Sequence, residues 1–253
     1  MDAYHVCVIR TGLCSVSFRR LAAGRVVDLV ADTGLATVEW GADVHAPPAD
    51  LDAVVGLRER CAARGVAVAS LGSYFRAGPG DEFGPVLEAA VALGAPRVRV
   101  WAGVKGSADA DADDVREVVE RTRAAARMAR ERGVEVAFEF HHGTLTDSPA
   151  STLRLLDAVD EPNVSTYWQP PLDVPDGEAV AGLEALLPRV SGLHVFSWWP
   201  GKERLPLSAR AALWREVFAV TGGKDVDALL EFVPDDDPAV LAREAATLAE
   251  LVA

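Results

Sequence analysis

Short apolar runs alternate with longer segments of helical period along the whole chain, and there are eight of each. Runs such as VAVASLGS, RVRVWAG and VEVAFEF have the length and the β-branched content of buried strands. Each repeat occupies about 32 residues, which is the length that one strand, one helix and their connections need. The alternation predicts parallel strands covered by helices. The predicted strands end near Ser17, Glu39, Gly72, Trp101, His141, Gln169, Ser197 and Phe232.

The segment from Asp114 to Arg132 shows the helical half of a repeat. Its apolar and small residues recur at three- and four-residue spacing, while charged residues lie on the opposite face. The expected stripe consists of Val115, Val118, Val119, Thr122, Ala125, Ala126 and Ala129. Gly133 then ends the predicted helix, and Gly65 and Gly94 stand in the same place before other strands. We expect left-handed helix caps at these glycines.

Strict alternation of strands and helices is compatible with two architectures, a closed barrel and an open doubly wound sheet. The chain has 253 residues, close to the roughly 250 that one eightfold barrel takes. The repeats are nearly equal in length, and no glycine-rich GxGxxG motif follows the first strand. No linker, low-complexity tract or long charge block divides the chain. We therefore predict an α/β fold, a (β/α)₈ TIM barrel, as a single domain over residues 1–253.

Composition limits the partners and the compartment. The sequence has 25 Lys and Arg against 38 Asp and Glu, a net charge of −13, which argues against nucleic-acid binding because that affinity comes from basic residues. No run of about 18 apolar residues and no basic leader is present, so we expect neither membrane insertion nor secretion. Cys7, Cys14 and Cys61 form no CxxC pair and no complete disulfide framework. A reducing cytoplasm is the expected compartment.

Polar residues interrupt four neighbouring apolar runs near their carboxyl ends. Glu139, Gln169 and Glu231 end the predicted fifth, sixth and eighth strands, and His194 lies in the seventh. In a TIM barrel the carboxyl ends of the strands carry the active site. Two carboxylates, an imidazole and an amide oxygen are suitable ligands for a divalent cation. The alternative is that each residue is a polar core residue whose hydrogen bonds are satisfied.

Period-two alternation assigns two side chains of the predicted fourth strand to the barrel interior. Arg99 and Trp101 share one face of this strand, while Val98 and Val100 face the helices. Arg99 is therefore a candidate for binding a substrate oxyanion, and Trp101 is a candidate for stacking on a sugar ring. The alternative is an internal salt bridge and a plug of the barrel.

The same alternation selects candidates on the fifth and seventh strands. Glu139 and His141 are two residues apart and share a face, so His141 is a candidate for substrate binding. His142 follows directly and is predicted to face the other way, in a structural role. Trp198 alternates onto the same face as His194 and is a further candidate for substrate binding.

Several short runs, spread over nearly the whole chain, share their order and strand placement with one family. They are FEFHHGTLTDSP, NVSTYWQPP, GLHVFSWWPG and ALLEFV, preceded by SVSFRRL, VEWGADVH and SLGSYFRAG. These runs resemble the xylose isomerase-like sugar phosphate isomerases and epimerases, a superfamily of (β/α)₈ barrels. The resemblance implies a Mn²⁺, Mg²⁺ or Co²⁺ ion held by Glu, Asp, His and Glu from strands five to eight. The corresponding positions are Glu139, Gln169, His194 and Glu231.

Gln169 departs from the family pattern, which has a carboxylate at this position. The ligand set then carries two carboxylates instead of three, so we expect lower metal affinity. The family also uses its two glutamates as acid and base, which implies that Glu139 and Glu231 exchange a proton with a carbon next to a carbonyl. The loop after strand two approaches the substrate in this superfamily, so Glu39 and His45 become further candidates for substrate binding.

The resemblance favours a metal-dependent isomerase or epimerase of a small sugar or ketose that works through an enediolate. Two alternatives stay open: a dehydratase of the inosose or dehydroshikimate type, and a metal-free, non-catalytic sugar-binding relative. The DNA-repair branch of the superfamily, endonuclease IV, is disfavoured because the chain has only five histidines and a net charge of −13.

Phosphate binding and oligomerisation are left open by the sequence. No dedicated phosphate loop is present, which favours an unphosphorylated small sugar or polyol as substrate. Arg76 and Lys105 follow strands three and four and are candidates for binding a phosphate. Trp198 and Trp199 are interpreted as a loop wall or as a contact between the subunits of a homo-oligomer.

Overall fold

Eight parallel strands close into a barrel in the computed structural model, which describes residues 9–253. They are β1 (Ile9–Cys14), β2 (Thr37–Gly41), β3 (Ala67–Gly72), β4 (Arg97–Val100), β5 (Glu135–Phe138), β6 (Val164–Trp168), β7 (Val190–Val195) and β10 (Val226–Leu230). Two short strands, β8 (Ser197–Trp198) and β9 (Arg204–Leu205), form an antiparallel hairpin between β7 and β10. The barrel closes because β1 pairs with both β2 and β10. The predicted (β/α)₈ TIM barrel is confirmed.

Eight α-helices surround the barrel in the described part of the chain. They are α1 (Ala23–Asp32), α2 (Leu51–Ala63), α3 (Phe83–Leu93), α4 (Ala112–Glu131), α5 (Pro149–Val159), α6 (Asp176–Leu186), α7 (Ala211–Thr221) and α8 (Leu241–Val252). The predicted stripe on α4 is confirmed at its buried positions, which are Val118, Val119, Thr122, Ala125, Ala126 and Ala129. None of the helices within residues 9–253 is long and apolar enough to cross a membrane.

Left-handed glycines end helices where the sequence predicts them. Gly94 follows α3 with a φ of 72°, and Gly133 follows the end of α4 with a φ of 69°. A residue with a Cβ adopts this conformation at a cost, so glycine lets the chain leave the helix and turn at once into the next strand.

Several strands end earlier than predicted. β1 stops at Cys14, and Ser15–Phe18 continues as a buried 3₁₀ turn. β5, β6 and β10 each stop one residue before a predicted site residue, so Glu139, Gln169 and Glu231 lie just beyond the strands. The sequence pattern reflects burial, and the chain stays buried in the barrel mouth after the hydrogen-bonded strand has ended.

A group of ion pairs lies at the amino-terminal end of the barrel. Asp227 of β10 is 1% exposed and accepts a hydrogen bond from Arg10 Nε at 2.8 Å. Arg97 of β4 lies 3.6 Å from the same carboxylate and 3.1 Å from that of Glu135. This end of a TIM barrel serves stability, whereas the opposite end carries the catalytic residues.

The cysteines of the described residues are free thiols. Cys14 and Cys61 are both buried, and Cys7 lies outside the described residues. Burial raises the pKa of Cys14 well above its ordinary value and that of Cys61 to about 11. Both thiols therefore stay protonated at neutral pH.

Candidate active site

The four residues predicted to bind a metal meet at the carboxyl ends of β5, β6, β7 and β10. His194 of β7 is fully buried, and its Nδ1 atom faces three side-chain oxygens. These oxygens are Gln169 Oε1 at 3.0 Å, Glu231 Oε2 at 3.4 Å and Glu139 Oε1 at 3.9 Å. The barrel thus brings together side chains from four separate repeats.

Backbone hydrogen bonds fix both glutamates just beyond the strand ends. The amide of Glu139 donates to Val100 O at 2.9 Å, and the amide of Glu231 donates to Val195 O at 3.0 Å. Thr146 Oγ1 also donates to Glu139 O at 2.6 Å. Both carboxylates are therefore presented by backbone that the barrel itself holds in place.

Arg99 of β4 lies between two carboxylates inside the barrel. Its Nε donates to Glu39 Oε1 at 2.8 Å, and its Nη1 donates to Glu139 Oε2. Ser70 Oγ donates to the other oxygen of Glu39 at 2.6 Å. Arg99 and Glu139 are each 5% exposed, and Glu39 is 2% exposed. Arg99 therefore forms the internal salt bridge that the sequence left as an alternative.

The cluster holds more negative than positive charge, and its pKa values reflect this excess. Burial alone would lower the pKa of His194, but Glu231 and Glu39 raise it to about 9. Burial raises the pKa of Glu231 to about 7, although His194 acts in the opposite direction. Burial also opposes ionisation of Glu39, yet Arg99 holds the pKa of that carboxyl well below its usual range. The site therefore favours one more positive charge, which a proton or a divalent cation would supply.

The donor set around His194 fits a hard divalent cation. Mg²⁺ binds its ligands at about 2.1 Å in octahedral geometry, so neighbouring donors lie about 3 Å apart. The three oxygens lie 3.0 to 3.9 Å from Nδ1, close to that spacing. Nε2 of the same ring has no hydrogen-bond partner among the described residues and lies 3.6 Å from Glu39 Oε1. Nδ1 is the ring atom that faces the other candidate ligands, and the carboxylate of Glu39 lies behind the ring, where it can orient the imidazole.

A second group of potential ligands lies on the other side of the same ring. Atoms of Cys14, Glu39 and His194 come within 4.8 Å of one another. Both oxygens of Glu39 already accept hydrogen bonds there, from Arg99 and Ser70, and burial raises the pKa of Cys14 well above its ordinary value. A protonated thiol and an occupied carboxylate are poor ligands, so we place the candidate metal centre on the Nδ1 side.

A cavity of about 220 Å³ lies at the cluster. Three of the four candidate ligands, Glu139, Gln169 and Glu231, line this cavity. His141 and Trp198, both predicted to bind substrate, line it as well. A small molecule in the cavity would therefore contact the candidate ligands directly.

Aromatic rings form one wall of the cavity. Trp198, on the β8–β9 hairpin, has its ring centroid 4.7 Å from that of Phe196 and 5.6 Å from that of Phe232. The guanidinium of Arg204 lies 4.8 Å from the Phe232 ring centroid. Trp198 therefore serves as the predicted loop wall, and flat apolar faces suit the carbon face of a sugar or a ring.

The other predicted substrate contacts lie apart from the cavity lining. Trp101 follows the end of β4 instead of belonging to it, and its ring lies 4.5 Å from that of His141. The guanidinium of Arg76 lies over the Trp101 ring, 4.3 Å from its centroid. Arg76 and Lys105 line a different cavity of about 450 Å³, where Lys105 Nζ pairs with Asp114 at 2.7 Å. Trp101 therefore does not line the 220 Å³ cavity, but its ring contacts that of His141, which does.

His45 is held away from the cluster by two hydrogen bonds. Its Nδ1 lies 3.0 Å from Ser15 Oγ, and its Nε2 lies 3.0 Å from Leu21 O. The side chain is 7% exposed and is therefore buried. Both ring nitrogens of His45 are engaged in these hydrogen bonds. The structure therefore does not bring His45 together with the other site residues.

His142 is a site residue that the sequence pattern missed. Its ring stacks on that of His141 with centroids 4.1 Å apart, and both residues line the cavity. Alternation predicted that the two rings face opposite ways, but β5 ends at Phe138 and alternation no longer applies beyond it. Two consecutive histidines shortly after the end of a strand were the signal available in the sequence.

Comparison with known proteins decides the family. Residues 27–231 match the sequence profile of the family described as the xylose isomerase-like TIM barrel. The chain belongs to this family. The resemblance seen in the sequence runs is therefore confirmed.

Known proteins that are similar to this chain include a dehydratase and an epimerase. A 3-dehydroshikimate dehydratase of Bacillus anthracis is 41% identical over 68 residues, which are 27% of this chain and 24% of that protein. The matched segment thus spans about a quarter of that relative's length. The crystal structure of the probable 3-DHS dehydratase AsbF from Bacillus anthracis has a TM-score of 0.82 at 20% identity, covering 96% of this chain and 99% of that one.

Two further structures share the barrel. D-psicose 3-epimerase from Clostridium cellulolyticum H10 has a TM-score of 0.70 at 15% identity, covering 96% of this chain and 98% of its own. A xylose isomerase-like barrel protein from Mycobacterium smegmatis, solved in complex with magnesium, has a TM-score of 0.70 at 17% identity over the whole of both chains. At such identities the structures establish the shared fold.

Proposed function

We propose that this protein is a divalent-metal-dependent enzyme that removes a proton from the carbon next to a carbonyl in a small hydroxylated substrate. We assign it to the sugar or ketose isomerases and epimerases. The observation that carries the proposal is the convergence of Gln169, Glu231 and Glu139 oxygens within 3.0 to 3.9 Å of His194 Nδ1, beside a cavity. A bound Mn²⁺, Mg²⁺ or Co²⁺ would polarise the carbonyl and stabilise the enediolate oxygens.

Glu139 and Glu231 are the proposed acid and base. Both carboxylates line the cavity, and backbone hydrogen bonds hold both residues in place at the barrel mouth. One carboxylate removes the proton, and the other returns a proton to the opposite face of the same carbon or to its neighbour. The first outcome is epimerisation and the second is isomerisation, and neither changes the mass of the substrate.

Trp198 and His141 are the proposed substrate contacts. Trp198 offers a flat wall, and the half-buried His141 offers an imidazole beside Glu139. Phe232 lines the cavity as well, and a substrate held against these rings would displace water from part of it, which would strengthen polar interactions with the substrate.

A dehydratase is the second candidate, favoured by the 41% identity over 68 residues with a 3-dehydroshikimate dehydratase. The first step is the same proton removal next to a carbonyl. The electron pair then expels a hydroxyl from the adjacent carbon, and this hydroxyl leaves as water after protonation. The protonated member of the Glu139 and Glu231 pair, which lines the cavity, is the proposed proton donor.

Solvent exchange tests the shared step and product analysis separates the two candidates. The Mg²⁺-loaded protein is incubated in D₂O with D-fructose, D-tagatose, L-ribulose or 3-dehydroshikimate. The proposal predicts deuterium at the carbon next to the carbonyl of an epimerised or isomerised ketose. A product lighter by one water identifies the dehydratase. Turnover without a primary deuterium isotope effect at that carbon would contradict both.

A further inference from the structure

Glu39 and Arg99 form an ion pair inside the barrel that the proposed chemistry does not use directly. Both side chains are at least nine-tenths buried, and neither lines the 220 Å³ cavity. They come from β2 and β4, on the far side of the cluster from Gln169. These two buried charged residues therefore need a role other than substrate binding.

Both groups already have partners. Arg99 donates through Nε to Glu39 at 2.8 Å and through Nη1 to Glu139. Glu39 accepts from Ser70 at 2.6 Å through its second oxygen, and its first oxygen lies 3.6 Å from His194 Nε2. The pair thus contacts one candidate metal ligand directly and lies behind the imidazole of another.

We propose that Glu39 and Arg99 are a positioning pair, which aims Glu139 Oε1 and His194 Nδ1 at the metal centre and makes no contact with substrate. The proposal rests on the metal site of the proposed function. Arg99 holds Glu139 Oε2, so that only Oε1 is left to face His194. Glu39 lies behind the ring of His194, so that Nδ1 faces the other ligands.

A planar guanidinium is needed for this role. Its fork of donors reaches two carboxylates on different strands at the same time, while a lysine ammonium of similar charge cannot span both. Arg99→Lys therefore keeps the charge of the site and removes the bridge. This substitution separates positioning from electrostatics.

Gly72 of β3 supplies the space that the bridge occupies. A Cβ at this position would lie 2.6 Å from Arg99 Nη2 and 2.7 Å from Glu39 Oε1. Gly72→Ala would therefore displace the pair without removing any charge or hydrogen-bonding group. Gly56 in α2 is a matched control, because a Cβ there meets nothing within 4 Å.

Mn²⁺ titration followed by electron paramagnetic resonance tests the pair in the full-length protein. Loss of such supporting contacts typically weakens metal binding about 10- to 100-fold, and we expect this for Arg99→Lys and for Gly72→Ala. Arg97→Lys changes an arginine at the opposite end of the same strand, and it should leave Mn²⁺ affinity unchanged, as should Gly56→Ala. Circular dichroism checks that each variant is folded, and Arg99→Lys decides the test if Gly72→Ala does not fold.

Kinetics provide the second readout once a substrate is in hand. A positioning role lowers kcat in Arg99→Lys and leaves KM unchanged, whereas a substrate contact raises KM. Mn²⁺ affinity of Arg99→Lys equal to wild type would overturn the inference, and so would an equal loss in Arg97→Lys. A wild-type protein that binds no Mn²⁺ would instead overturn the proposed function itself.

Discussion

Gln169 Oε1 lies 3.0 Å from Nδ1 of His194, on the same side of the imidazole as the two glutamates. The amide oxygen therefore lies at the position where the family resemblance implies a carboxylate ligand. A neutral oxygen can still coordinate a hard cation, but it contributes no charge to the attraction.

Gln169→Glu should tighten Mn²⁺ binding. A glutamate side chain has the same length as the native glutamine and adds one negative charge to the candidate ligands. Gln169→Met, which also has a similar length, should weaken binding because it removes the oxygen. Isothermal titration of the two variants and the wild type measures both changes. Identical dissociation constants in all three proteins would show that residue 169 is not a ligand.

Glu139→Gln and Glu231→Gln should each lower kcat by about 10² to 10⁴, the usual contribution of a general acid or base. The matched control is Glu135→Gln, which changes an exposed glutamate at the opposite end of β5 from Glu139. Activity is measured on whichever substrate shows solvent exchange, and circular dichroism verifies the fold. A glutamine variant that stays as active as Glu135→Gln would remove that glutamate from the catalytic pair.

His45 should make folding stability depend on pH. Burial lowers the pKa of His45, so the folded protein keeps the ring neutral while the unfolded chain takes up a proton below about pH 6.5. The stability that this residue contributes is therefore complete above that pH and is lost as the pH falls. In urea unfolding, the free-energy difference between wild type and His45→Gln should shrink between about pH 7.5 and 5.5. An equal difference at both pH values would contradict the assignment of a neutral His45.

The barrel was predictable because each repeat carries its own signals. Buried parallel strands appear as apolar runs, and left-handed glycines such as Gly94 mark where helices end. Glu139, His194 and Glu231 stood out for the same reason, since a polar residue inside a buried run needs an explanation. Their convergence follows from the geometry of the fold, which places all strand ends at one face.

Contacts between repeats could not be predicted in this way. Arg99 was expected inside the barrel, but whether it would contact substrate or the acids Glu39 and Glu139 depends on the curvature of the sheet. His142 was misplaced because strand alternation does not extend into loops. His45 was misplaced because the family resemblance indicates a loop but not the hydrogen bonds that its side chains make. Such positions depend on hydrogen bonds, like those of His45 to Ser15 and Leu21, that join residues far apart in the sequence.

One divalent cation is expected to bind at Glu139, Gln169, His194 and Glu231, and the stoichiometry of bound Mn²⁺ measures this. Wild-type protein and His194→Ala are dialysed against Mn²⁺, and the bound metal is measured by elemental analysis. His45→Ala is the control, because its ring is bonded to Ser15 and Leu21 instead of the cluster. We expect one ion per chain in wild type and in His45→Ala, and none in His194→Ala. Wild-type protein without bound Mn²⁺, or His194→Ala that retains it, would contradict the account.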